Sequence, residues 1–228
     1  MKLYELKGDK ERRYSLFSWR TRLALAHKGV VPDYVPVLLS DKATIAFSGG
    51  TTVPVLVDGD RAVRDSWAIA CYLEDRLPDA PSLFGGSAGR GVARLVNNWV
   101  DRAVLPDVIS ALALDALGRV HPEDRVFFRG MMEKAFRAGL EELAADRPKR
   151  IERFQRTLDP ARATLKQQPF LGGDAPAYAD YILFSPLQWA RCLSPEDVLR
   201  PDDSLRAWRE RMLDLHDGMA RRVPDARA

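Results

Sequence analysis

The sequence predicts an α/β N-terminal domain followed by an all-α C-terminal domain. Three observations point there. The first 80 residues mix short strand-like runs with two helical stretches, in the order β-α-β and then β-β-α. Residues 78–91 (PDAPSLFGGSAGRG) are dense in Pro, Gly and Ser and read as a linker. Beyond it, the apolar runs have helical spacing. The expected boundaries are 1–80 for the first domain, 81–91 for the linker and 92–228 for the helical domain.

Residues 2–6 alternate in polarity and read as a short strand. The polar segment from Lys7 to Tyr14 reads as a loop. Leu16, Trp19, Leu23 and Ala26 then fall on one helical face, and Gly29 stops that helix after His27-Lys28. Tyr34 to Leu39 is a second strand. Pro36 inside it has no N–H to give a neighbour, so the strand belongs at a sheet edge. Residues 40–52 are irregular. Val53 to Val57 and Arg61 to Arg64 flank Asp58-Gly59, a strong hairpin signal. Asp65-Ser66 opens a helix carrying Trp67, Ile69, Ala70 and Leu73, and Pro78 ends it. The helical half is expected in segments 91–118, kinked near Pro106, then 122–145, 148–168, 178–192 and 202–220.

The composition excludes several function classes. Of 228 residues, 46% are hydrophobic and 29% charged, with a net charge of +3, as in an ordinary globular chain. The densest basic pairs, Arg12-Arg13 and Arg221-Arg222, are not interleaved with aromatics and read as solvated surface rather than a nucleic-acid patch. No apolar run is long enough to span a membrane. The start, Met1-Lys2-Leu3-Tyr4, lacks the apolar core of a signal peptide, so a cytoplasmic location is expected. Cys71 and Cys192 read as reduced thiols. His27, His121 and His216 are scattered without metal-ligand spacing, so no metal is expected.

Three constellations could carry chemistry. Ser15 stands where the first loop meets the first helix. A helix start offers unpaired N–H groups and partial positive charge, and a hydroxyl there can donate to a bound anion. A free thiol of pKa ~8.5 is only about 3% ionised at neutral pH. Lowering that value by about one to two units makes tens of per cent thiolate. Taken alone, Ser15 reads first as a plain helix cap. Val53-Pro54 enters a strand, where a cis bond would turn the Val53 backbone toward an extended ligand; an ordinary trans proline is the plainer reading. Asp65-Ser66 opens a helix and can receive a carboxylate and an ammonium, or simply cap it.

The order of these features is more specific than any one of them, and it resembles the glutathione transferase family over the whole chain. Ser15-Leu16-Phe17-Ser18-Trp19-Arg20-Thr21-Arg22-Leu23-Ala24-Leu25-Ala26 is similar to the zeta-class active-site helix, Ser-Ser-Cys-Ser-Trp-Arg-x-Arg-Ile-Ala-Leu-Ala. It is about as similar to the bacterial lignin β-etherase branch, which begins Ser-Pro-x-x-Trp-Arg-Thr. Asp65-Ser66-Trp67-Ala68-Ile69-Ala70-x-Tyr72-Leu73 looks like the same branch, as do Asn98-Trp99, Phe170-Leu171-Gly172-Gly173-Asp174-x-Pro176 and Ala179-Asp180-Tyr181.

The resemblance implies a thioredoxin-like N-terminal domain that binds glutathione as co-substrate, and a helical domain that shapes the second pocket. Ser15 would activate the thiol. Val53 would pair with the cysteinyl part beside a cis Pro54. Asp65 and Ser66 would hold the γ-glutamyl end. Lys42, the only basic residue in the 40–50 loop, would meet the glycine carboxylate. The partner would be a small hydrophobic electrophile, the β-etherase likeness suggesting an aromatic one such as a β-aryl ether, and the assembly a homodimer. Two departures stand out. Ala177 replaces the Ser/Thr of the capping box that Asp180 completes. Phe17 replaces the zeta-class Cys, which weighs against a zeta-type isomerase or dehalogenase. A non-catalytic binding protein is the rival from another class, and the joint presence of Ser15, Val53-Pro54 and Asp65-Ser66 weighs against it. The acceptor pocket is expected from loop 7–14 and the helical half, with Lys10, Arg12 and Arg13 able to supply charge for a dianionic acid.

Overall fold

The computed structural model describes residues 1–226. Strand β1 (Lys2–Leu6), helix α1 (Leu16–His27) and strand β2 (Asp33–Val37) come first, then the hairpin β3 (Val55–Asp58) and β4 (Arg61–Arg64), then α2 (Ser66–Arg76). The four strands lie in the order β2-β1-β3-β4. β1 runs parallel to β2 and antiparallel to β3, which pairs antiparallel with β4. β2 is an edge strand, with Pro36 opposite Glu5, as a missing N–H requires. Asp58 pairs with Arg61, so the turn is Gly59-Asp60, one residue later than expected; Gly59 takes the left-handed position at φ 58°.

The pleat divides the sheet's side chains. Leu3 and Leu56 face α1 and α2 and join Leu23, Ile69 and Leu73 in the main core. Val37 and Val55 point the other way, where Tyr4 and Val57 pack with them and Ile45 of the 38–52 segment covers them. Phe47 extends that cover, its ring 5.2 Å from Tyr4.

The helical half begins sooner than expected. Gly85 and Gly86, at φ 68° and 101°, end the linker, and α3 (Ser87–Trp99) starts inside the Gly/Ser stretch. α3 passes through a wide π turn (Val100–Val104) into α4 (Leu105–Leu117). Pro106 lies in the first turn of α4, so the expected kink appears as that π turn just before it. The segment expected as 122–145 divides into α5 (Arg125–Phe136) and α6 (Leu140–Ala145), because Arg137 turns left-handed at φ 54°. Likewise 148–168 divides into α7 (Arg147–Thr157) and α8 (Asp159–Leu165). α9 (Tyr178–Leu193) is central, with all its residues buried except Arg191. Pro186 inside it cannot donate to the Ile182 carbonyl, and the Ser185 hydroxyl donates there instead at 2.8 Å. The last helix, α10 (Leu205–Gly218), loses helical geometry at Leu215, His216 and Asp217. Among the described residues no helix is long and apolar enough to cross a membrane.

Asp180 keeps its half of the capping box without the Ser/Thr. Its carboxylate accepts from the N–H groups of Ala177 (3.0 Å), Leu171 (2.7 Å) and Gly172 (3.0 Å), and from the Trp208 indole (2.9 Å). The chain after α10 folds back under α9. Arg191 donates to the carbonyls of Ala220, Arg221 and Val223, and buried Arg12 donates to Cys192 and Pro224, each at 2.8 Å.

Candidate functional site

A cavity of about 540 Å³ opens between the two domains. Ser15, Val53, Asp65, Ser66 and Lys42 all line it. Residues separated by up to 51 positions therefore line one cavity.

Ser15 caps α1: its oxygen accepts from the Ser18 N–H at 3.3 Å. Its own proton has no acceptor among the described residues. Capping and donation are thus compatible, and the bond from Ser18 polarises the hydroxyl as a donor. The Val53–Pro54 peptide is cis. Val53 precedes the paired part of β3, and its N–H and C=O make no hydrogen bond among the described residues. Asp65 takes a left-handed φ of 73°, unusual for a residue with a side chain, and one carboxylate oxygen caps the Trp67 and Ala68 N–H groups at 3.0 Å each. Ser66 opens α2. The Tyr178 hydroxyl ties down its carbonyl at 2.7 Å while the Ser66 hydroxyl has no partner among the described residues. Lys42 sits on the flank nearest the helical domain. Its Nζ donates to the Leu39 carbonyl at 2.5 Å and lies 5.1 Å from the Phe127 ring centre.

The opposite wall was not legible in the sequence. Ile109 of α4, Phe127, Phe128, Met131 and Met132 of α5, and Trp189 of α9 form it. The one signal was the i,i+4 pairing of Phe127 with Met131 and of Phe128 with Met132, which reads as ordinary core. The expected contribution of loop 7–14 is corrected: of that loop only Tyr14 lines the cavity. Arg12 is committed to Asp9 and to the carbonyls of Cys192 and Pro224, and Arg13 to Glu5 and Glu11. Both arginines are held by these partners and do not line the cavity. Neither they nor Lys10 supply charge to the wall.

Neither cysteine belongs to the site. Both are free, and burial pushes the Cys192 thiol up to about 12, which keeps it protonated. No group of acidic, His or Cys side chains among the described residues has a metal-holding arrangement.

Comparison with known proteins agrees with this architecture. Residues 14–76 match the model of the glutathione S-transferase N-terminal domain, and residues 91–224 that of the C-terminal domain. The chain is 33% identical over 111 residues to glutathione S-transferase Z2 of Arabidopsis thaliana, a match spanning 46% of this chain and 50% of that protein. It is 36% identical over 93 residues to a probable maleylacetoacetate isomerase of Caenorhabditis elegans, spanning 39% and 44%. The chain thus spans about half the length of these relatives. Its fold is similar to the glutathione S-transferase CsGST63524 of Ceriporiopsis subvermispora, solved in complex with glutathione, with TM-score 0.82 and 22% identity over 99% of both chains. Since the two domain models together cover most of the sequence, in the order the fold displays, the chain belongs to the glutathione S-transferase family.

Proposed function

We propose that this protein is a glutathione-dependent transferase that ionises the glutathione thiol beside Ser15 and delivers it to an apolar, aromatic electrophile. One observation carries the reading: the free Ser15 proton, the unpaired Val53 backbone and the free Ser66 hydroxyl converge on one cavity. Those groups complement a thiol peptide. Val53 pairs with the cysteinyl backbone as an added strand would. Ser66 and the start of α2 receive the γ-glutamyl carboxylate, and the second Asp65 oxygen receives its ammonium. Ser15 donates to the sulfur, favouring thiolate over thiol while the proton leaves to solvent.

The chemistry that follows is a displacement. The thiolate sulfur forms a bond to an electrophilic carbon, and the leaving group departs with the electron pair of the bond that breaks. In a β-aryl ether that leaving group is an aryl oxide, later protonated by water. The enzyme's contribution is ionisation and alignment of the two partners. Ile109, Phe127, Phe128, Met131 and Trp189 make an apolar, polarisable wall that suits an aromatic body. This wall supports the aryl-ether reading, and Phe17, at 36% exposed beside Ser15, adds to it. The probable maleylacetoacetate isomerase among the relatives favours the second reading, a zeta-type isomerase.

A homodimer and a cytosolic location belong to the same proposal. The exposed Val92 and Leu95 of α3 support the first, and the two unpaired cysteines the second. The deciding experiment is a side-by-side kcat/KM comparison with glutathione in excess against aryl ethers, aryl halides and maleyl acids. Turnover of an aromatic electrophile above any maleyl acid supports the transferase reading. Faster isomerisation of a maleyl acid promotes the isomerase, and no glutathione-dependent turnover, with no glutathione binding, sinks both.

A further inference from the structure

The start of α2, where Ser66 reaches the cavity, is held from the helical domain. Among the described residues two hydrogen bonds join α2 to that domain. One, from Arg90 to Asp75 at 2.5 Å, lies at the far end of α2 on the surface. The other runs from the Tyr178 hydroxyl to the Ser66 carbonyl at 2.7 Å, between two buried residues 112 positions apart. In a helix that carbonyl already accepts from the Ala70 N–H, so the phenol takes its second lone pair. The phenol itself has little room to move. Its ring lies 5.9 Å from Trp67 and 5.5 Å from Phe84, edge-on to both. The Tyr178 N–H donates to the Leu83 carbonyl at 2.8 Å, and Asp180 fixes the turn in which Tyr178 stands. Burial raises its pKa, so the hydroxyl remains a donor.

The bond acts on a residue with two ends. The Ser66 carbonyl is pinned by Tyr178, while the Ser66 hydroxyl, on the same residue, lines the cavity without a partner among the described residues. A helix start is the part least held by its own hydrogen bonds. Here it follows Asp65, whose left-handed φ of 73° persists only if the surroundings hold it. We propose that Tyr178 is a positioning residue: its hydroxyl holds Ser66 and the first turn of α2 in the orientation that receives the γ-glutamyl carboxylate, so the helical domain sets the affinity for glutathione. This rests on the transferase reading above. A bond that merely satisfied a buried phenol would stabilise the fold and leave glutathione affinity alone.

The test is Tyr178→Phe, which keeps the ring and removes the bond, made in the native protein and in a Ser66→Ala background. In the native protein it should raise the glutathione Kd from calorimetry about five-fold or more. The ultraviolet absorbance of bound thiolate at saturating glutathione should stay the same, because Ser15 is untouched. In the Ser66→Ala background the same change should alter Kd less than about two-fold, since the group it positions is gone. An unchanged Kd overturns the inference. So does an equal loss in both backgrounds, which would make the bond purely structural, and so does a fall in bound thiolate, which would carry the effect to Ser15. If Tyr178→Phe does not fold, hydrogen exchange of the native protein replaces it. Glutathione should then slow exchange of the Ala70 and Tyr178 amides together, and slowing at Ala70 alone overturns the inference. A native protein that binds no glutathione is the separate failure of the transferase reading, and the inference falls with it.

Discussion

The Arg20 guanidinium, on the inner side of α1, meets the Asp101 carboxylate of the π turn at 2.7 Å across the seam between the domains. The same guanidinium donates to the Ser185 hydroxyl at 3.0 Å and to the Asn97 carboxamide at 3.2 Å, and it lies 4.9 Å from the Phe17 ring. Arg20 is fully buried, so three acceptors from the helical domain depend on it. Arg20→Met should destabilise the fold by about 3 kcal/mol, toward the low end for a broken buried pair because Asp101 keeps some access to water. Urea unfolding checks this, and an unchanged midpoint would contradict it.

Ser15→Ala should lower kcat about ten-fold or more while the glutathione Kd stays nearly unchanged, because the hydroxyl stabilises the charged thiolate more than it binds the peptide. The ultraviolet absorbance of bound thiolate at neutral pH should fall with it. Loss of the cap should also cost about 1 kcal/mol of stability. Full activity in this variant would place the chemistry elsewhere.

Asp180→Ala should leave four N–H donors unsatisfied at the start of α9 and lower the melting temperature by roughly 6–12 °C, corresponding to about 3 kcal/mol in a chain of this size. Asp180→Asn keeps an acceptor oxygen and should fall between this variant and the native protein. A smaller loss for Ala than for Asn would show that the four bonds do not act through the carboxylate.

Stability should fall on mild acidification. His27 Nε2 donates to the Ser82 carbonyl at 3.1 Å, which leaves Nδ1 to accept from the Tyr181 hydroxyl at 2.7 Å, and the same hydroxyl lies 3.4 Å from His216 Nε2. Burial lowers the pKa of both imidazoles; at His27 the Ser82 carbonyl and Glu74 oppose in part while Lys28 adds to the lowering, and at His216 the His27 charge adds to it and Asp217 opposes in part. The folded state therefore binds fewer protons than the unfolded chain. The contribution is complete above the ordinary histidine value of about 6.5 and is lost as pH falls through and below it. The urea midpoint should be lower at pH 5.5 than at pH 7.5, and His27→Gln should reduce the difference. A flat midpoint across that range would refute the argument.

Size-exclusion chromatography should give a species near twice 25.6 kDa. Leu95, 69% exposed on α3, is the natural site to break such a dimer, and Leu95→Glu should shift the protein toward monomer. A native monomer at micromolar concentration would contradict the proposed dimer and leave the fold untouched.

Local signals were legible wherever the chain's own chemistry sets the structure. Pro36 located the edge strand, Gly29 the end of α1, Ser15 its cap, and the Asp65-Ser66 pair the start of α2, where Asp65 is the residue that caps. The α5–α6 break was hidden, because Arg137 adopts a left-handed φ for which no Gly or Asn gives notice. Long-range pairings were hidden for a different reason. His27 and Tyr181 are 154 residues apart, and Leu39 and Asp124 are 85 apart, so periodicity, which reports one element at a time, is silent about both. The wall that carries Ser15, Val53, Asp65 and Ser66 was readable from motifs at helix and strand ends. The opposite wall was not, since Phe127 and Met131 look the same whether they face a core or a cavity.

The Arg12 clamp on the returning C-terminal segment ties the loop before Ser15 to the order of synthesis. Arg12 leaves the ribosome early, but one of its acceptors, the Pro224 carbonyl, follows 212 residues later. At usual elongation rates that is a wait of roughly 10–40 s, during which Arg12 lacks that acceptor. The N-terminal sheet and helices can form in that interval, yet the loop before Ser15 gains this partner only after the helical domain has been made.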